Sequence, residues 1–185
     1  MRNHLSILFL LCWFSFSFGQ IGKNRLLEIE KFIQKEKYNS DLAIFIDFRI
    51  PSNKNRFFLY SFKQQKILEK GLVAHGAGSE KAHSSTLIFS NTENSYQSSL
   101  GKYEIGKSYS GAFGKSYRLK GLDTTNNKAM KRAIVLHPYG CVPDEESSKP
   151  ICLSLGCPMV SQNFFNTIAQ YIDASNKTII MYAYY

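Results

Sequence analysis

The stretch from Leu42 to Phe62 constrains the fold more than any other part of the chain. Leu42, Ile44, Ile46 and Phe48 alternate with Ala43, Phe45 and Asp47, the period of two expected of a strand whose faces meet different surroundings. Pro51, Ser52 and Asn53 supply turn residues, and Arg56 to Phe62 reads as the returning strand of a hairpin. Ile67–Ala74, Thr86–Phe89, Ala133–Leu136 and Thr178–Tyr185 are further strand candidates, with weaker ones at Tyr103–Ile105 and Tyr117–Leu119. Helical spacing is confined to residues 22–37, through Leu26, Ile29 and Ile33, and to residues 163–172, through Phe164, Phe165, Ile168 and Ile172. Asn126–Lys131 reads as one short helix, and residues 75–116 as a Gly- and Ser-rich loop region. No repeat, heptad run or low-complexity linker interrupts this pattern. The expectation is one mostly-β (α+β) domain with a helix at each end of the sheet-forming region.

The first nineteen residues stand apart. Arg2 precedes an apolar run from Leu5 to Phe18, and Gly19 is a small residue ahead of polar Gln20. This is the pattern of a secretory signal peptide, and the run is short for a membrane helix, which needs about 20 apolar residues. The expected organisation is therefore a signal peptide over 1–19 and one domain over 20–185, secreted or periplasmic; cleavage removes Cys12 and Trp13, the single tryptophan. At 185 residues there is room for one ordinary domain. With 44% hydrophobic residues the chain is not a disordered one. Lys+Arg 23 against Asp+Glu 14 gives +9, which suits an anionic partner. The lysines form no continuous run beyond Lys63, Lys66 and Lys70, so nucleic-acid binding is weakly supported. Four cysteines are too few for a disulfide-built scaffold.

Chemistry concentrates between Ala133 and Ser161. A strand ends in His137, a polar loop follows, and the loop closes on Ser154-Leu155-Gly156-Cys157-Pro158. A thiol beside glycine can be approached closely, and backbone N–H groups near Gly156 and Cys157 are placed to meet a developing oxyanion. A nucleophilic Cys needs a base to take its proton, and His137 is the sensible candidate. Cys141 and Cys152 flank the loop and can bridge in an oxidising compartment. Zinc held by His137, Cys141, Cys152 and Cys157 is the competing reading; it lacks the short paired spacings of zinc sites, so no metal or other cofactor is expected. His75, in His75-Gly76-Ala77-Gly78-Ser79, reads equally as a substrate contact or a structural residue.

With these residues in view, the chain resembles the murein L,D-transpeptidase catalytic domain family (YkuD-like), whose motif is His, 14–17 residues, then Ser/Thr-x-Gly-Cys. Here 16 residues separate His137 from Ser154-Leu155-Gly156-Cys157. Blocks resembling a stand-alone secreted branch lie upstream: His75–Ser79, Phe89-Ser90-Asn91, Ser98–Gly101, Tyr117–Leu122 and Arg132–His137. The resemblance covers about Ile44 to Tyr184. It implies an L,D-transpeptidase-like β-sandwich with peripheral helices, and acyl transfer on a peptidoglycan stem peptide. Cys157 would be the nucleophile and His137 the base, oriented by a backbone carbonyl rather than an Asp. Gly156, Ser154 and Leu155 would support the oxyanion or the loop, and His75, Ser90, Asn91 and Arg118 would be candidate substrate contacts.

The chain departs from that branch in three places. Pro138 stands where Gly usually follows the His, Leu153 where Arg precedes the Ser, and Phe113 where a His precedes the glycine of a mid-chain block. These departures bear on substrate-carboxylate binding and on rate. They keep two rivals open: a carboxypeptidase-type hydrolase using the same acyl-enzyme, and a non-catalytic wall-binding domain of the same fold.

Overall fold

The computed structural model describes residues 21–185; the expected signal peptide, with Cys12 and Trp13, lies outside the described residues. In chain order the elements are α1 (Lys23–Lys35), β1 (Leu42–Asp47), β2 (Phe57–Ser61), β3 (Lys66–Gly71), β4 (Gly101–Gly111), β5 (Gly114–Gly121), β6 (Val135–Pro138), β7 (Met159–Val160), α2 (Gln162–Ala174) and β8 (Ile180–Tyr184). The strands follow one another across the sheet as β3-β2-β1-β8-β4-β5-β6-β7. The protein is mostly β with two helices. Among the described residues no helix is long and apolar enough to cross a membrane.

The alternation in β1 sorts the core into two layers. Ile44 and Ile46 enter a large cluster with Leu59, Tyr103, Tyr117, Leu119, Leu136 and Val160. Ala43 and Phe45 enter a second cluster with Phe58, Ile180 and Tyr184. Because the first cluster draws on β1 and β2 from one half of the sheet and β5, β6 and β7 from the other, the sheet curls around it. Helix α2 adds Phe165, Ile168 and Ala169 to that interior; the Ser161 hydroxyl caps it, accepting the Phe164 N–H at 3.2 Å. Helix α1 lays Ile29 and Ile33 on the other face.

β8, the last strand in sequence, is central in space. It runs parallel to β1, with Ile44 opposite Met181, and antiparallel to β4, with Tyr103 opposite Met181. The hairpin β4–β5 is longer than the weak pattern at 103–105 and 117–119 suggests, because Lys, Ser and Gly carry it out beyond the core; its register shifts between Ile105 and Ser108. Two expected elements are absent. Thr86–Phe89 forms no strand: the Ile88 N–H is taken by the Ser79 carbonyl and the Ser90 N–H by the Ser98 carbonyl, so the segment is tied to loops. Asn126–Lys131 forms successive turns rather than a helix, with Ala129 N–H bound to Asn126 O and Arg132 N–H to Lys128 O.

Candidate active site

Strand β6 is the element that presents the candidate base. Its four residues are all buried, and it lies between β5 and β7. β6 pairs with β7 in parallel, His137 opposite Met159. Continued two residues upstream, this register sets Val135 opposite Cys157. The sulfur contacts agree: the Val135 N–H donates to Cys157 Sγ at 3.5 Å, and the thiol reaches the Ala133 carbonyl at 3.8 Å. The hydrogen bonds of the resting thiol therefore run to the backbone at the start of β6 and just ahead of it, not to His137. Ala133 holds a left-handed backbone at φ 53°, a conformation that costs a non-glycine residue on the order of 1 kcal/mol. That kink follows the turns at 126–132 and sets the direction in which β6 enters the site.

His137 is 2% exposed. Its Nδ1 lies 3.0 Å from the Pro138 carbonyl. A carbonyl only accepts, so Nδ1 carries the proton and Nε2 keeps the lone pair that a base requires. Burial pulls His137 below its ordinary pKa, and the Pro138 carbonyl partly opposes this. Burial also pushes the Cys157 thiol up, against the lowering effects of the Val135 N–H and the Arg132 charge. At neutral pH the resting pair is thus a neutral thiol and a neutral imidazole, not an ion pair.

The turn carrying Cys157 is held on three sides. The Ser154 hydroxyl accepts the Gly156 N–H at 3.0 Å. The Ser154 backbone bridges the segment at His75–Ala77, donating to His75 O at 2.9 Å and accepting from Ala77 N–H at 2.8 Å. Gly156 sits at φ +118°, and a Cβ there would lie 2.9 Å from the Gln97 carbonyl and 3.2 Å from the Arg132 guanidinium, so no residue with a side chain fits without displacement. Leu155, the residue between, is 70% exposed and faces solvent. The bond to Ser154 occupies the Gly156 N–H, and Pro158 has none, which leaves the Cys157 amide as the nearest donor for an oxyanion.

The other sequence-designated residues are distributed around this turn. His75 is 3% exposed; its Nδ1 accepts from the buried Arg56 at 2.8 Å, and its Nε2 has no hydrogen-bond partner. Its side chain is thus turned into the interior while its carbonyl supports Ser154. Ser90 offers its backbone carbonyl to Arg132. The Asn91 side chain ties the turns at 124–128 together, donating to Thr124 O and Asn127 and accepting from Lys128 N–H. Arg118 lies on the β5 strand with its guanidinium 4.6 Å from the Tyr109 ring. Cys141 and Cys152 are disulfide-bonded, with Cα atoms 6.0 Å apart, which removes two of the four ligands the zinc reading would need; Cys157 is the free cysteine among the described residues.

Arg132 is the residue whose individual role the sequence does not announce. It donates to the Ser90 carbonyl at 2.8 Å, to the Ser99 hydroxyl at 3.2 Å and to the Gln97 carbonyl, and it abuts Gly156. It is a cation fixed behind the thiol, holding the 90–99 loop against the turn that carries Cys157. The one sequence cue is its place directly before the apolar run into His137.

Comparison with known proteins follows this geometry. No curated protein matches the chain. Similar solved structures include the Ldtfm-avibactam carbamoyl enzyme (9% identity, TM-score 0.48, 78% of this chain and 49% of that one). Others are an L,D-transpeptidase from Mycobacterium smegmatis (11%, 0.45, 78% and 59%) and the helical cell shape determining protein Pgp2 from Campylobacter jejuni (16%, 0.45, 83% and 54%). The chain spans about half the length of the Ldtfm and Pgp2 structures. The family model for the L,D-transpeptidase catalytic domain matches residues 19–184, taking in every element described above, and the chain belongs to that family.

Proposed function

We propose that this protein is a secreted or periplasmic cysteine acyltransferase that remodels peptidoglycan, with Cys157 as nucleophile and His137 as general base. The observation that carries this reading is the state of His137: buried, with Nδ1–H committed to the Pro138 carbonyl and Nε2 unprotonated on a strand whose parallel partner is entered through Cys157. In the reaction, substrate binding turns the thiol from the Ala133 carbonyl toward Nε2. The S–H proton passes to Nε2, and the sulfur attacks the carbonyl carbon of the diamino-acid residue of a stem peptide. The Cys157 amide meets the oxyanion. The C–N bond to the terminal D-alanine breaks, and the leaving amine takes the proton from His137, which gives a thioester and free D-alanine. An amine of a neighbouring stem then attacks the thioester, His137 accepts its proton, and the thiol is restored with a new amide cross-link. No cofactor enters these steps. The basic balance of the chain suits an anionic wall polymer.

Water in place of the amine would make the same site a carboxypeptidase, and loss of the step altogether would leave a wall-binding domain. Digestion of treated sacculi followed by muropeptide mass analysis separates these. Cross-linked dimers that vanish with Cys157→Ala are the expected product. Trimmed monomers alone mark the hydrolase, and unchanged muropeptides from a folded sample would overturn the catalytic reading.

A further inference from the structure

Phe113 is a large apolar side chain left 45% exposed, yet one of its faces is fully used. It sits in the turn between β4 and β5, and its ring stacks on His137 with centroids 4.0 Å apart and planes 20° from parallel. The β5–β6 pairing explains how it arrives there. Tyr117 lies opposite Leu136 and Arg118 opposite Val135, so continuing that register past the strand end brings residue 113 to the level of Tyr139 and Gly140. Tyr139 meets both rings edge-on, its centroid 5.9 Å from Phe113 and 6.3 Å from His137.

The imidazole needs this support. Its hydrogen bond goes only to the next residue in the chain, a local contact that fixes one ring atom and leaves the ring plane to be set by packing. Offset stacking on one face and an edge contact from another side set that plane. We propose that Phe113 is a positioning residue of the reaction, acting through His137: it fixes the imidazole plane so that Nε2 points at the Cys157 side of the strand, and it shields that ring from water. The titratable group in ring contact with His137 is the Tyr139 phenol, from the loop after β6, while Cys157 lies two register positions from Met159, the residue opposite His137; the imidazole's hydrogen-bond partner is a carbonyl, not a carboxylate. Phe113 itself is neutral, so it acts by geometry and desolvation. The proposal rests on His137 being the base of the reaction.

Two readings on the mature protein test it. The first is an NMR titration of the His137 ring, assigned by its loss in His137→Gln. The second is the rate of acylation by a carbapenem across pH. In Phe113→Ala the ring face opens to water, so the His137 midpoint moves up toward the ordinary value of about 6.5, and the acid limb of the acylation profile moves up with it. The rate at neutral pH falls roughly three- to tenfold, the size of one aromatic pair. Phe113→Tyr keeps the stack and restores both readings. Should the alanine variant unfold, Phe113→Leu, which keeps apolar cover without a stacking face, is expected to move the midpoint less and still to slow acylation roughly three- to tenfold. An unmoved His137 midpoint together with a rate within twofold of the parent overturns the proposal. The NMR reading needs no catalysis, so a protein that never acylates but whose His137 still shifts separates failure of the functional reading from failure of this one.

Discussion

His75 is a buried histidine with its Nδ1 against Arg56 and its Nε2 3.5 Å from Glu80 Oε1, and the fold lowers its affinity for a proton. Arg56, itself buried, donates to Nδ1 and to the Val73 and Ile50 carbonyls, so a proton on Nδ1 would set two positive groups against each other. Burial, helped by Arg56, lowers His75 to about 4. In the unfolded chain the same group titrates near 6.5. Above that value neither state holds the proton and His75 adds no pH dependence. Between 6.5 and 4 only the unfolded state binds it, so stability falls as pH falls. Across the whole window the loss from this residue is about 3 kcal/mol, at roughly 1.4 kcal/mol per unit. Urea unfolding at pH 7 and pH 4 checks it. In His75→Asn, whose side-chain oxygen can still accept from Arg56, the acid loss should be smaller by about that amount. An equal acid loss in both proteins would place the proton elsewhere.

At the scale of the element, the informative unit is the turn that joins the polar loop to β7. Its shape depends on Gly156 at positive φ, on the Ser154 hydroxyl that takes its N–H, and on Arg132 pressed against it. Gly156→Ala is expected to cost more than the ~1 kcal/mol of an ordinary left-handed alanine, because the added carbon meets the Gln97 carbonyl as well. It should also slow thiol alkylation at residue 157 by at least tenfold while the core stays folded; an alkylation rate equal to the parent's would show that the turn's geometry does not set the thiol's access. The same turn shows what can be read before folding. Gly-Cys-Pro after a Ser is visible in the chain, and so is a His at the end of an apolar run, since each is local. The partners that hold them are not. Gln97, Ser99 and Ser90 come from a loop with no periodicity, and Arg132 meets them only because the turns at 126–132 reverse the chain. Strands show the same division: β1 alternates visibly and β2 follows it across turn residues, whereas the outer part of β4–β5 is polar and leaves no trace of its length.

For the whole molecule, topology decides what the parts become. Strand β8 fills the centre of the sheet between β1 and β4, so the half that carries the site at β6 and β7 is joined through it to the β1–β3 half. One interior, to which α2 contributes Phe165, Ile168 and Ala169, backs both β6 and the half-buried Cys157. Burial against this interior is what keeps the thiol and the imidazole neutral at rest rather than an ion pair. Family membership sets the frame, and the residues add the particulars: Phe113 stacked on His137, and a disulfide across the polar loop. The central claim is that Cys157 is a competent nucleophile served by His137. Intact-mass and peptide mapping of the protein after incubation with a carbapenem tests it most directly. A single adduct located on Cys157, absent in Cys157→Ala and strongly slowed in His137→Ala, is the expected result; a folded parent protein that gains no adduct, or a Cys157→Ala protein that gains the same one, would contradict it.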